Sequence, residues 1–338
     1  MAFKTLSKSE KSYIQASLQA QQPLRGDGRS LHQFRSVTLQ TGVAPIANGS
    51  SLLNLGRSSD ESIGGTEILA AAKLEVEDIG PASSGVEGGR IACVVSCSPA
   101  AYSYLPAAAL DDLQHDYSTV LHAVFSHASL RPPSLGIIPG RKAWLLTLDL
   151  MVLSDAGNVY DALFMAARAA LWDTHVPRTR AVEYRRGIGG KAKDDNDMDV
   201  DPESHSGLDT RSKPLATDFE LEDSWDEGPV LGGRDAWPVC ITLNLFPGLH
   251  FLDATTQEEA AAPIRLLLVY SFSAKSPAAA LHGMHLLGVG NVDLAQVESL
   301  VKEGEKYALD IYTALNAKLK DEELRRTDKA RLKFSSVR

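Results

Sequence analysis

The run AWLLTLDLMVL, residues 143–153, is apolar at nearly every position, and a short turn and the alanine-rich stretch VYDALFMAARAALW follow it directly. A strand of that character belongs inside a sheet covered on both faces. A helix with small residues on several sides belongs packed closely against such a sheet. Strand, tight turn and helix in immediate succession therefore predict a layered fold. The turn also poses a chemical question. Free N–H groups at a helix N-terminus, reinforced by the helix dipole, are a natural seat for phosphate. Yet Asp155-Ala156-Gly157-Asn158-Val159-Tyr160 offers no Arg or Lys, and no Ser or Thr follows Gly157. Asp149, Asp155 and Asp161 surround it. As a pair, two of these carboxylates suit acid–base chemistry. The simpler expectation is that Asp155 shapes the turn and Asp161 sits in the first helical turn, where negative charge is favoured.

Elsewhere the periodicity alternates between strand and helix. Ser7 and Glu10 form a capping-box pattern ahead of a helix whose apolar face is Tyr13, Ile14 and Leu18. The stretches around 37–43, 49–56 and 66–79, and RIACVVSCS, read as strands. Leu110, Leu113, Tyr117, Leu121 and Val124 recur at helical spacing. WPVCITLNLF, the Pro247-Gly248 turn and LHFLD read as a hairpin, Ile264–Phe272 as a strand, and Asp293 as the cap of a long helix lined by Leu294, Val297, Val301, Ala308, Leu315 and Leu319. The expected class is α+β, with two βα-layered halves and mixed sheets packed on helices.

Charge marks the boundaries. Residues 185–228 hold thirteen Asp/Glu against six Lys/Arg and few large apolar residues, the composition of a disordered insertion. The expected organisation is an N-terminal domain over 1–184, that acidic insertion, a C-terminal domain over 229–322 and a basic tail over 323–338. The whole-chain charge of −9 gives no general reason to expect nucleic-acid binding. The three cysteines fit buried, reduced thiols: Cys93 and Cys97 lie about 13 Å apart along one strand, too far for a disulfide. No apolar run reaches the roughly 18 residues of a membrane span, and the first residues carry no apolar signal core. Gly187-Ile188-Gly189-Gly190-Lys191 lacks the spacing and flanking elements of a phosphate loop. His282 and His285 have no metal-ligating neighbours in sequence, so neither a metal nor another cofactor is expected.

Three longer stretches resemble the RNase PH family. They are LRGDGRSLHQFRSVTLQTGVAPIANGSSLLNLG, SLGIIPGRKAWLLTLDLMVLSDAGNVYDALFMAARAALWDTHVP and LHFLDATTQEEAAAPIRLLLVYSFS, in the family's order and spacing. The resemblance implies an RNase PH-like fold. It also implies where chemistry should be: phosphorolytic members place a hydroxyl residue and an Arg in the opening turn, where this chain has Asn158 and Val159. They place an Asp at the start of the strand after the hairpin, where this chain has Arg265. An Arg has no accessible neutral state and no acceptor, so it cannot replace a catalytic Asp. They carry an Arg-rich stretch before the first long helix, where this chain reads SPAAYSYLPAAALDDL.

These departures resemble the non-catalytic branch of the family that builds the ring of the eukaryotic RNA exosome. That branch implies a catalytically inactive subunit of a hetero-hexameric ring of RNase PH-like proteins, one of them a heterodimer partner. RNA-binding cap subunits, a separate nuclease subunit, RNA in the channel, and residence in nucleus, nucleolus and cytoplasm are implied with it. No residue is assigned a catalytic role. Arg25, Arg29 and Arg265 are the candidates for RNA contact or for a subunit interface, Arg265 having as its simpler role an ion pair with Glu258 or Glu259. Two other readings stay open: an active phosphorolytic nuclease with a rewired site at Asp149 or Asp155, and an adaptor that works outside the ring through its acidic loop.

Overall fold

The computed structural model describes residues 6–56, 64–79, 89–182, 218–223, 227–273 and 276–336. Most of the acidic stretch 185–228 therefore lies outside the described residues. Two sheets organise the rest. The first joins β1 (Val37–Thr41), β2 (Gly49–Leu55), β3 (Thr66–Asp78), β6 (Lys142–Ser154) and β4 (Arg90–Cys97) in that order, with the short β5 (Gly136–Ile138) also on β6. All its pairings are antiparallel except β4 with β6, which reaches its parallel position through the helix α2 (Ala107–Phe125). Strands β7 (Thr179–Val182) and β8 (Asp218–Leu221) pair separately across the acidic stretch. The second sheet, wholly antiparallel, orders β10 (Leu249–Phe251), β9 (Val239–Phe246), β11 (Ile264–Ser273) and β12 (Ser276–Gly288).

Helix α3 (Val159–Asp173) fills the space between the sheets. Val159 through Trp172 are all buried, because the run of alanines lets backbone approach backbone on more than one side. Ser51 on β2 donates to the Ala166 carbonyl at 2.8 Å, and Thr242 on β9 donates to Asp161 at 2.6 Å. Helix α5 (Leu294–Ser336) covers the far face of the second sheet, where the Tyr270 hydroxyl donates to the Val301 carbonyl at 2.7 Å. The layers thus run sheet, helices α2 and α3, sheet, helix α5. Arg168, fully buried on α3, ties them together: it donates to the Trp237 carbonyl and to Asn316 on α5, and stacks over the Tyr312 ring at 4.6 Å. Burial lowers its pKa to about 10, which still leaves it charged at neutral pH.

Three expectations are corrected. Strand β6 is not covered on both faces: Leu146, Leu148, Leu150 and Val152 face inward, whereas Asp149 and Met151 point out. The doubly covered strand is β9, every residue of which is buried between α3 and α5. On α1 (Lys8–Leu18) the capping box forms as expected, but Tyr13 is 75% exposed, and Leu18 alone of the expected face is buried, against Phe246 and Phe251. Leu294 at the start of α5 is 86% exposed, while Ala308, Leu315 and Leu319 carry the packing. Helix α5 runs on without a break through the basic tail as far as Ser336. Cys93, Cys97 and Cys240 are buried free thiols. No described helix is long and apolar enough to cross a membrane.

Replacing Phe164, which is fully buried and stacked on Phe125, with alanine should cost about 3–5 kcal/mol. Met151→Ala on the outer face of β6 should stay within about 0.5 kcal/mol. Urea unfolding of the two variants reads both values. Equal losses would contradict the one-sided burial of β6.

Candidate functional site

The turn after β6 has the shape of an anion cradle, but its donors are taken. The Gly157 N–H donates to Asp155 Oδ1 at 2.8 Å, and the Asn158 N–H donates to Glu259 Oε1 at 2.8 Å. Both residues adopt positive φ, Gly157 at 96° and Asn158 at 58°, and this aims the two amides at those carboxylates. A Cβ at Gly157 would strike the Ala254 carbonyl and the Thr255-Thr256 backbone, so the second half of the chain lies directly against the turn. Thr66 locks it from the other side, with its Oγ1 3.1 Å from the Ala156 N–H and 2.6 Å from the Gly157 carbonyl.

Behind the turn stands Asp253, completely buried and itself at φ 46°. One of its oxygens accepts from Arg29 at 2.7 Å and from the Arg35 backbone at 2.7 Å. The other accepts from the Arg35 guanidinium at 2.7 Å and from the Asn158 side chain at 3.0 Å. Arg35 then reaches the Ala156 and Gly157 carbonyls, each at 3.0 Å. Burial opposes ionisation of Asp253, but Arg35 and Arg29 outweigh it and hold the carboxyl below its ordinary range. Arg25 makes a parallel clamp. It forks onto both oxygens of Glu258 at 2.9 and 2.6 Å and donates to the Leu252 and Asp253 carbonyls at 3.0 and 2.7 Å. Glu258 is also the third residue of the capping box that starts α4 (Thr256–Ala261), so the N-terminal segment is anchored to a helix start.

A cavity of about 110 Å³ opens beside the turn, between α2, the start of α3 and β11. Tyr102, Tyr117 and Tyr160 stand on its walls, and four carboxylates, Asp112, Asp116, Asp155 and Glu259, face one guanidinium, Arg265. Arg265 lies 3.3 Å from Glu259. Burial raises the Glu259 carboxyl pKa, and Arg265 opposes that shift. Asp161 is fully buried, and burial lifts its pKa to about 7 against the hydrogen bonds from Thr242.

The structure therefore separates the candidates. Arg265 takes the simpler role, with Glu259 as its partner. Arg25 is 5% exposed, with its guanidinium N–H groups directed at chain oxygens. Arg29 is bonded to Asp27, Asp253 and the Gln33 carbonyl. Both serve contacts within the chain. Asp155 shapes the turn as expected, and Asp161, in the first helical turn as expected, is a buried acceptor rather than a solvated charge. Asp149 points outward from β6 and is not on the cavity wall, so no Asp149–Asp155 pair exists. Sequence reasoning missed the pairing of Arg35 with Asp253. It noted SPAAYSYLPAAALDDL for its missing cations, when its tyrosines and acids were the informative residues.

Residues 33–177 match the family model described as 3' exoribonuclease family, domain 1. The Rrp42 exosome complex component of Thermoplasma acidophilum is 30% identical over 230 residues, 68% of this chain and 79% of that protein. The chain belongs to the RNase PH family. A protein of Dictyostelium discoideum described as a putative exosome complex exonuclease RRP42 aligns at 22% identity over 94% of this chain and 98% of its own length. Among solved structures, a chain of the Archaeoglobus fulgidus exosome with RNA bound to the active site superposes with a TM-score of 0.64 at 19% identity, covering 90% of this chain and 97% of that one. The RNase PH-like fold is thus present over nearly the whole chain. Within that fold, the amides of the turn after β6 are bonded to the chain's own carboxylates.

Two outcomes follow for pH and for stability. Asp161 ionises from 3.8 in the unfolded chain but near 7 in the folded one, so the folded state holds an extra proton in between. Its contribution to stability therefore falls as pH rises from about 4 to about 7. Asp161→Asn should flatten that fall when unfolding midpoints are compared at the two ends of the window; an unchanged slope would refute the assignment. Asp253 has the opposite sign, its stabilisation being lost only as pH drops below the ordinary carboxylate range. Asp253→Ala removes the buried carboxylate that Arg29 and Arg35 share and should cost about 3–5 kcal/mol at neutral pH. Denaturant titration measures it, and a loss under 1 kcal/mol would mean that the cluster behaves as a surface ion pair.

Proposed function

We propose that this chain is a ring subunit of an RNA exosome core and that its own RNase PH site performs no chemistry. The similarity to Rrp42 exosome components supports the first half. One observation carries the second: the amides of Gly157 and Asn158 are bonded to Asp155 and Glu259, so a phosphate would have to displace two carboxylates that are covalently part of the site. It would then face Asp112 and Asp116 as well, with Arg265 as the sole cation on the cavity wall among the described residues. Like charges lining the cavity oppose entry of the anion that phosphorolysis consumes.

A closed ring needs every subunit for its interfaces, so such a protein can be indispensable without catalysis. Its neighbours in this reading are other RNase PH-like subunits, one of them a heterodimer partner. RNA-binding caps stand above the ring, and a separate nuclease degrades RNA delivered through the channel. RNA decay and ribosomal-RNA processing, in nucleus, nucleolus and cytoplasm, are the corresponding cellular setting.

Tagged protein purified from its own cells should yield a hetero-oligomer of several different RNase PH-like chains in which this one occurs once, as read by native mass spectrometry. A homo-hexamer or a lone monomer would overturn the ring assignment. In the reconstituted complex, Asp155→Ala combined with Asp161→Ala should leave the rate of phosphate-dependent release of nucleoside diphosphates unchanged. A loss of that release would make the chain an enzyme.

A further inference from the structure

A sheet edge left open to solvent is a template for another strand, and proteins ordinarily blunt their edges. The two large sheets end in four outer strands, β1, β4, β10 and β12, and three of them are blunted. Along β4, the amides of Cys93, Val95 and Cys97 donate to His122 Nδ1, Ser118 Oγ and Gln114 Oε1 on α2, at 3.4, 2.8 and 3.0 Å. At β1, Lys318 of α5 donates to the Val37 carbonyl, and Arg326 reaches the Thr41 hydroxyl at 3.3 Å. Strand β10 is only three residues long. The fourth, β12, runs for thirteen residues and pairs only with β11. Among the described residues, nothing outside β11 is hydrogen-bonded to the backbone of residues 279–288.

Composition and exposure point the same way. Residues 278–292 hold no Asp, Glu, Lys or Arg in a chain that is 23% charged, so the charges that guard an edge are missing. Leu281, Met284 and Leu286 lie opposite Tyr270, Leu268 and Leu266, which are buried on the face that α5 covers. The cover stops at β11: the three β12 side chains are 44%, 50% and 49% exposed. A bulge is also a guard, but the one in β12 is confined to Leu281–Gly283, where His282 Nε2 lies 2.7 Å from Ser271 Oγ. Beyond it, Gly283 to Gly288 pair with β11 in unbroken register, about 20 Å of open edge.

We propose that β12 receives the corresponding edge strand of a neighbouring RNase PH-like chain, an inference that rests on the ring reading and names one of its contact surfaces. The chemistry of the edge selects the occupant. Its outward N–H and C=O groups call for an extended backbone. Its neutrality and its half-exposed Leu-Met-Leu row call for uncharged, apolar side chains, because a charge brought there would lose its water and find no counter-ion. Strand β12 itself meets both demands. Two chains of this fold can therefore pair these edges antiparallel across an approximate two-fold axis, joining two four-stranded sheets into one. RNA does not fit, since residues 278–292 offer no cation to a phosphate.

Hydrogen exchange, compared between the isolated full-length chain and the assembly purified from its own cells, tests this. Backbone amides within 279–288 should exchange about tenfold or more slowly in the assembly. Equal exchange in the two would overturn the proposal. Met284→Lys combined with Leu286→Lys, at two exposed positions, should release an RNase PH-like chain from the assembly, as read by native mass spectrometry, while the urea midpoint of the isolated chain stays unchanged. Retention of every RNase PH-like chain by a variant with that midpoint would overturn the proposal, and if the midpoint falls the exchange comparison decides. Release of a chain without the RNase PH fold, or an isolated wild-type chain that dimerises through the same two residues, would overturn the neighbour as occupant. A wild-type chain that purifies without any RNase PH-like partner would overturn the ring reading itself, whereas an intact ring with an unprotected β12 would overturn this inference alone.

Discussion

A single buried carboxylate, that of Asp253, holds the two halves of this protein in register around the turn. It accepts from Arg29, Arg35 and Asn158, which come from the N-terminal segment and from the start of α3. A charge with no exposure to solvent is tolerable only when matched this fully. Because Arg35 also bonds the Ala156 and Gly157 carbonyls, the same cluster fixes the shape of the turn. The neighbouring Arg25–Glu258 pair extends the clamp to the start of α4. Arg25, Arg29 and Arg35 of the N-terminal segment are thus engaged within the chain.

On the proposed reading, that arrangement is how a family frame persists without the chemistry its shape suggests. The strand–turn–helix unit packs between two sheets and cannot be altered without disturbing α3, which is buried along its length. The amides at the turn still need acceptors, since buried donors without partners are costly. In this chain Asp155 and Glu259 supply them. The turn's amides are satisfied internally, and the space beside them is acidic and lined with tyrosine.

Much of the fold was legible because periodicity reports burial. The alternation in β3, the helical spacing of α2 and the hairpin of β9 and β10 all follow from which residues had to face inward. The errors have the same origin. The outward Met151 on β6 is apolar and therefore looked buried, and Tyr13 on α1 looked like a core residue. Composition alone cannot separate a strand covered on two faces from one with apolar residues on its open side. The site was harder to read, because its members are brought together only by the fold. Arg35 and Asp253 are separated by 218 positions, and Asn158 and Glu259 by 101. The absence of Arg, Lys, Ser and Thr from residues 155–160 was visible in the turn. The carboxylates that fill their place were not, since nothing local in Thr255-Thr256-Gln257-Glu258-Glu259 says which acid caps its own helix and which reaches across to another.

The central claim is that the turn's amides are bonded to the chain's own acids. The most direct test is an NMR titration of the full-length protein, labelled on glycine and asparagine, with inorganic phosphate. The Gly157 and Asn158 amide resonances should stay fixed and exchange slowly with solvent at every phosphate concentration. Saturable shifts of those two resonances, absent from the other labelled amides, would show that the cradle is open to phosphate and contradict the account.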